Sequence, residues 1–176
     1  RVALLDPELT VSQPGHVTAA TGTDAMVHAV ETFVTRPRNS ISTMFAREAW
    51  SLLSESYERV LTRPGDIEAR GKMLLGASLA GLAIENSMLG ATHALANPLT
   101  SEHGLIHGQA IGIMLPHVIR YNGIEFGSWY QELCAEGTVN GEPSCEQLAQ
   151  FVVNLVENAG LPTSLSQCDI SRENLS

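Results

Sequence analysis

Glu85–Ala110 reads ENSMLGATHALANPLTSEHGLIHGQA and holds three of the chain's six histidines, His93, His103 and His107, among glycine, alanine and apolar residues. Pro98 and Gly104 make a single helix from His93 to His107 implausible, so these two histidines are expected to come from different elements. Upstream, Thr21–His28 (TGTDAMVH) offers Asp24 and His28 at i and i+4, one above the other on a helix face. Asp24, His28, His93 and His107 together would give one ion three nitrogens and a carboxylate, a set suited to Fe(II), Zn(II) or a similar divalent metal. Plainer readings stand beside this one. An Asp–His pair at helical spacing is common without a metal, and a lone histidine in an apolar helix is often a satisfied core residue. The four taken together carry more weight, because polar groups in apolar surroundings need partners.

Working outward, the pattern is helical nearly everywhere. From about His16 to Thr35, Ala25, Val27, Ala29, Val30 and Phe33 alternate with the candidate ligand face, and Pro37 closes the segment. Asn39 or Ser40 can cap the next helix, whose stripe runs Ile41, Phe45, Ala49, Leu52, Leu53, Tyr57 and Val60. Arg63-Pro64-Gly65 is a turn with Asp66 as the following N-cap. The helix after it carries Gly76, Ala77, Ala80, Gly81 and Ala83, small residues that suit a central helix approached closely by its neighbours. Gly90 is the expected break before His93. Ile111–Tyr121 is expected to be helical with an interruption at Pro116, which leaves the adjacent His117 a structural role. Phe126–Cys134 and Glu146–Asn158 are further helices, the latter ending at Gly160, with an exposed loop over Gly137–Pro143 between them. A last element is expected to begin at Asp169. Only Arg1–Pro7 reads as a strand, closed by Asp-Pro, with Glu8–Gly15 as linker. The expected fold class is therefore all-α apart from that strand.

The 176 residues suffice for one domain with a real core. A net charge of -9 supplies no basic stripe for nucleic acid or an anionic membrane. The longest apolar run, Met73–Ile84, is too short to span a bilayer. Cys134, Cys145 and Cys168 are odd in number without CxxC spacing and read as free thiols of a reducing, cytoplasmic compartment.

GTDAMVHAVE and THALANPLTSEHGLIHGQAIGIMLPHVIRYN resemble the metal-binding half of the iron-containing (group III) alcohol dehydrogenase family. In that family an Asp and a His of a G-x-D-A-x-x-H-A-x-E motif and two His of an H-x(13)-H-G segment bind the metal, and these fall on Asp24, His28, His93 and His107. The similarity runs from Arg1 to about Gly123 and continues more weakly through AGLPTSLSQCDISRENL. It implies the helical domain of the dehydroquinate-synthase-like fold, with Fe2+, Zn2+ or another divalent ion and NAD or NADP as cofactors. The substrate would be a small alcohol, aldehyde or ketone, and a homo-oligomer is a further expectation. Residues 1–14 would be strand and linker from a nucleotide-binding domain that this sequence does not contain. Residues 15–176 would be a helical metal-binding domain incomplete at its C-terminus, and such a piece alone would be inactive.

Family members often carry a proton-transferring His four residues after the third ligand. Here that position is Asn97, which cannot titrate near neutral pH, and His103 is the one nearby substitute. Thr21, Thr23 and Asn86 are candidates to orient substrate or nicotinamide. Glu31, near the ligand face, is either an acceptor for a ligand histidine's N–H or a surface carboxylate. Other readings are a glycerol-dehydrogenase-like or dehydroquinate-synthase-like enzyme, a hydrolase, for which no HExxH signature is present, and a helical module with a structural metal.

Overall fold

Among the residues that the structure, a computed structural model, describes (2–137, 139, 142–171 and 173), every regular element is a helix. They are α1 (Gly15–Val34), α2 (Ser40–Thr62), α3 (Ile67–Glu85), α4 (Ala91–Ser101), α5 (His107–Cys134) and α6 (Cys145–Asn158), with 3-10 turns at Pro7–Thr10 and Leu165–Cys168. None of them is long and apolar enough to cross a membrane.

The helix starts are set by local chemistry. Asn39 Oδ1 accepts from the backbone N–H groups of Ile41 and Ser42 at 3.0 and 3.1 Å, while Ser42 Oγ accepts from Asn39 N at 3.0 Å, a reciprocal cap for α2. Asp66 caps α3 through Ala69 N at 3.0 Å, and Ser144 caps α6 through Gln147 N at 3.1 Å.

Some expectations about the frame need correction, the N-terminal strand and the central helix first. Residues 2–6 form no strand: no second strand exists among the described residues to take up their backbone groups, and Val2 and Leu4 stand exposed. Asp6 instead accepts from Glu8 N at 3.0 Å and caps the first 3-10 turn, with Pro7 at its opening position. The central helix is α1, not α3. It packs against α2, α3 and α5, and thirteen of its twenty residues are buried. The small residues of α3 (Ala69, Gly76, Ala80, Ala83) serve one inward face, while Leu75 and Leu82 look outward.

The core fills the space around α1: Val27, Val30 and Phe33 meet Trp50, Leu53 and Tyr57 of α2, with Ile111, Leu115 and Ile119 of α5 and Leu148 and Val156 of α6 in the same cluster. Helix α5 continues through Pro116, because Leu115 and Ile119 on either side are locked in that core; its irregular point is Phe126 (φ -114°, ψ 25°). Pro98 is likewise accommodated inside α4. The break between His93 and His107 comes instead at residues 102–106, where Gly104 takes φ +71°, a conformation costly for any residue with a Cβ. Of the loop expected at Gly137–Pro143, Thr138, Asn140 and Gly141 lie outside the described residues. So does half of the element expected from Asp169, namely Arg172 and Asn174–Ser176.

Candidate metal centre

Helical spacing puts Asp24, His28 and Glu31 along one side of α1, at positions i, i+4 and i+7. The first turns of two other helices come to meet that side. His93 lies in the opening turn of α4, and His107 is the first residue of α5. The approach of α5 is close because residue 108 is glycine: a Cβ there would lie 2.2 Å from Ala20 O of α1.

The three imidazoles aim their Nε2 atoms at a single oxygen. From Asp24 Oδ1, His28 Nε2 lies at 3.1 Å, His93 Nε2 at 3.4 Å and His107 Nε2 at 3.8 Å. The rings of His28 and His93 stack with centroids 4.9 Å apart, and His107 sits tilted against His93 at 5.4 Å. One donor atom each from Asp24, His28 and His93 lies within 4.8 Å of the others; His107 closes the group from the more exposed side, its side chain 37% accessible against 9% for His93.

These residues fit a divalent cation. Donor atoms each about 2.0–2.2 Å from one ion are separated from one another by roughly 3–3.5 Å, close to the spacing around Asp24 Oδ1. Asp24 Oδ1 and His93 Nε2 are both buried and make no hydrogen bond, an arrangement that is costly unless something else satisfies them. Imidazole nitrogen with one carboxylate is also the donor chemistry that iron and zinc accept.

Burial raises the Asp24 carboxyl, but His93, His28 and His107 together outweigh it and hold the group below the ordinary carboxylate range. Burial lowers the His28 imidazole. Burial also opposes charge on His93, yet Asp24 and Glu31 on its two sides push it up to about 9. The site thus balances two anions against a cluster of imidazoles.

Glu31 is the residue that the sequence left most open. It is buried, at 3% exposure, and its partner is not His28 on its own helix but His93 on α4, with Oε2 2.6 Å from Nδ1. Its carboxylate also accepts from Gly90 N at 3.0 Å and from Thr92 N at 2.6 Å. Gly90 and Thr92 contribute through their backbone N–H groups, and residue 90 leaves room for the carboxylate by being glycine, since a Cβ there would lie 2.9 Å from Glu31 Oε1. The available hint is that α4 starts at Gly90 with no side-chain cap of its own.

The other candidates are dispersed. Thr23 is turned into the core at 1% exposure, with Oγ1 2.9 Å from Ala19 O and 2.8 Å from Tyr57 OH. Its hydroxyl is thus engaged between α1 and α2. Thr21 is exposed and donates to Val17 O at 2.8 Å. Asn86 ends α3, donating to Leu82 O at 2.8 Å and accepting from Asn39 Nδ2 at 2.6 Å. Asn97 is exposed on α4. His103 occupies the turn between α4 and α5 and lines a different cleft, with Gln109, Leu161 and Cys168.

Residues 18–176 match the family model described as Fe-containing alcohol dehydrogenase family, C-terminal. Long-chain-alcohol dehydrogenase 1 of Geobacillus thermodenitrificans is 42% identical over 120 residues, covering 68% of this chain and 30% of that protein. NAD-dependent methanol dehydrogenase of Bacillus methanolicus is 31% identical over 180 residues, covering 99% of this chain and 47% of that protein. The crystal structure of sulfoacetaldehyde reductase from Bifidobacterium kashiwanohense in complex with NAD+ superposes with a TM-score of 0.88 at 30% identity, over 97% of this chain and 44% of that one. The chain thus spans less than half the length of each of these proteins. By sequence and by fold, it belongs to the Fe-containing alcohol dehydrogenase family and corresponds to the family's C-terminal, helical part.

Proposed function

We propose that Asp24, His28, His93 and His107 hold one divalent metal ion, Fe2+ or alternatively Zn2+, in an enzyme that interconverts a small alcohol with an aldehyde or ketone using NAD or NADP. The observation that carries this reading is the convergence of three Nε2 atoms on one Asp24 oxygen, with two of the buried donor atoms lacking any hydrogen bond. The alcohol and carbonyl substrates named for its relatives are consistent with it.

When bound, a divalent cation supplies Lewis-acid polarisation of a substrate oxygen, and the nicotinamide supplies the hydride chemistry. The chain's own residues set the conditions. Asp24 offsets one of the ion's two positive charges, and neutral imidazoles add none, so the centre keeps positive charge for an electron-rich oxygen. His107, on the accessible side, and Thr21, exposed one turn before Asp24, mark the face where substrate and nicotinamide would approach. Thr23 acts from behind, tying α1 to α2 through Tyr57 beside the ligand. The amide of Asn97 cannot carry a proton away, so proton release uses another route than the one usual in the family.

Hydride transfer needs the nicotinamide carbon held within about 3–3.5 Å of the substrate carbon. Residues 1–176 contain no glycine-rich turn of the kind that grips a pyrophosphate at a helix start. The chain assayed alone is therefore expected to be inactive and to hold its metal weakly, whereas a protein joining it to a dinucleotide-binding domain is expected to turn over. NAD(P)H absorbance with a panel of alcohols and aldehydes, with Fe(II) or Zn(II) added, tests both. Full-rate turnover by the 176 residues would overturn the two-domain reading. An inactive joined protein, with no metal uptake by either, would overturn the oxidoreductase site.

A further inference from the structure

The opening N–H groups of a helix have no partner inside it, and α4 brings no capping side chain. The missing acceptor comes from another helix. Glu31 of α1 takes Thr92 N on Oε1 at 2.6 Å and Gly90 N on Oε2 at 3.0 Å, and the same Oε2 meets His93 Nδ1 at 2.6 Å. An ionised carboxylate can only accept hydrogen bonds, so the ring nitrogen facing it must carry a proton. The other nitrogen, Nε2, has no hydrogen-bond partner and points to Asp24 Oδ1 at 3.4 Å.

The geometry points to Glu31 as a positioning residue: one buried carboxylate caps α4 from α1 and, through the same oxygen, fixes His93 with its proton on Nδ1 and its Nε2 turned into the site. The two tasks are coupled. Seating the start of α4 on Glu31 also sets the rotation of the His93 ring, so the helix cannot dock correctly with the ligand misdirected. Whether the ring is neutral or charged, the Nδ1 proton is the one it keeps, and Nε2 is the atom left for an ion. A carboxylate behind a ligating histidine orients the ring and increases its basicity. The part of this assignment that faces the ion rests on the proposed metal site; the protected Nδ1 proton does not.

The test uses the chain labelled with nitrogen-15 in its histidines, as wild type, Glu31→Gln and Leu99→Ala. Long-range nitrogen–proton spectra of the metal-free wild type should show a slowly exchanging ring proton on His93 Nδ1. In Glu31→Gln one amide oxygen faces three donors, so this protection should be lost and zinc affinity, measured by chelator competition, should fall roughly 10–100-fold. Leu99 is buried in α4 away from the ring, and truncating it should lower the melting temperature more than Glu31→Gln does while leaving the ring proton and zinc affinity near wild type. An unprotonated Nδ1 in the wild type would overturn the assignment, as would unchanged protection and affinity in Glu31→Gln. Equal zinc loss in Leu99→Ala would reduce Glu31 to an ordinary structural contact and overturn it as well. Should the wild type bind no zinc, the metal site fails, and the Nδ1 proton and its response to Glu31→Gln still decide the positioning role. Should Glu31→Gln not fold, the wild-type spectrum decides it alone.

Discussion

Replacing Gly108 with alanine tests how the centre is assembled. The added Cβ would lie 2.2 Å from Ala20 O, 2.6 Å from Ala20 C and 2.7 Å from Ala20 Cα, whereas ordinary contact begins at 3.4 Å. The shortfall is about 1.2 Å (3.4 minus 2.2), and the obstacle is the backbone of α1, which has no rotamer to give. The first turn of α5 must therefore back away, and His107, the adjacent residue, goes with it. A shift of that size would carry His107 Nε2 from 3.8 Å to about 5 Å from Asp24 Oδ1, beyond the roughly 3–3.5 Å that separates donors sharing one ion. Overpacking of this kind costs about 1–3 kcal/mol. For a domain of this size that corresponds to a melting temperature lower by roughly 2–12 °C. Zinc affinity should fall at least about tenfold, as when a ligand loses its support. Gly81→Ala is the control: nothing lies within 4 Å of the place its methyl group would take, and relief of glycine's entropy in α3 should stabilise the chain by about 0.5–1 kcal/mol. Thermal melts and chelator competition on both variants give the answer. A Gly108→Ala chain with wild-type melting temperature and zinc affinity would refute the close approach as the device that delivers His107.

Asn39→Ala removes the acceptor of the reciprocal cap and should cost about 1 kcal/mol, read as a lower denaturation midpoint at unchanged slope. Burial pushes the Tyr57 hydroxyl up to about 12 from its usual 10, so the folded state holds this proton more tightly than the unfolded chain does. The associated stability is complete below pH 10 and is lost as pH rises toward 12; Tyr57→Phe should flatten that alkaline decline in unfolding experiments. His103→Ala should leave zinc affinity unchanged, because the ring lines a different cleft; a large loss on titration would place His103 in the centre after all.

Much of the frame was legible in local pattern. The caps at Asn39 and Asp66, the i, i+4 placement of Asp24 and His28, and the separation of His93 from His107 all depend on residues near one another in sequence. The departures arise where the decision is made at a distance. A run such as Val2–Leu5 looks like a strand, but pairing needs a partner that the described residues do not provide. Pro116 ought to interrupt a helix, yet the packing of Leu115 and Ile119 overrides it. The small residues of α3 suggested a central position, although one inward face packed against α2 and α1 suffices to explain them. Periodicity put Glu31 near the ligand face without saying that its partner would lie 62 residues onward, because that pairing exists only once α4 has docked. Thr23 turned inward for a similar reason, in its bond to Tyr57 34 residues away.

Helix α4 has eleven residues, a proline inside it and a start capped from elsewhere. A segment that short does not persist alone in water. Its residence time in the helical state is therefore set by how firmly its neighbours hold it. Amides of α4 should exchange with solvent through openings confined to that segment, more frequent than the global unfolding that exposes the core of α1. During such an opening His93 leaves the group, and Asp24 and His28 stay behind on α1. Entry and escape of whatever the centre holds would then be timed by the breathing of one short helix rather than by unfolding of the whole chain.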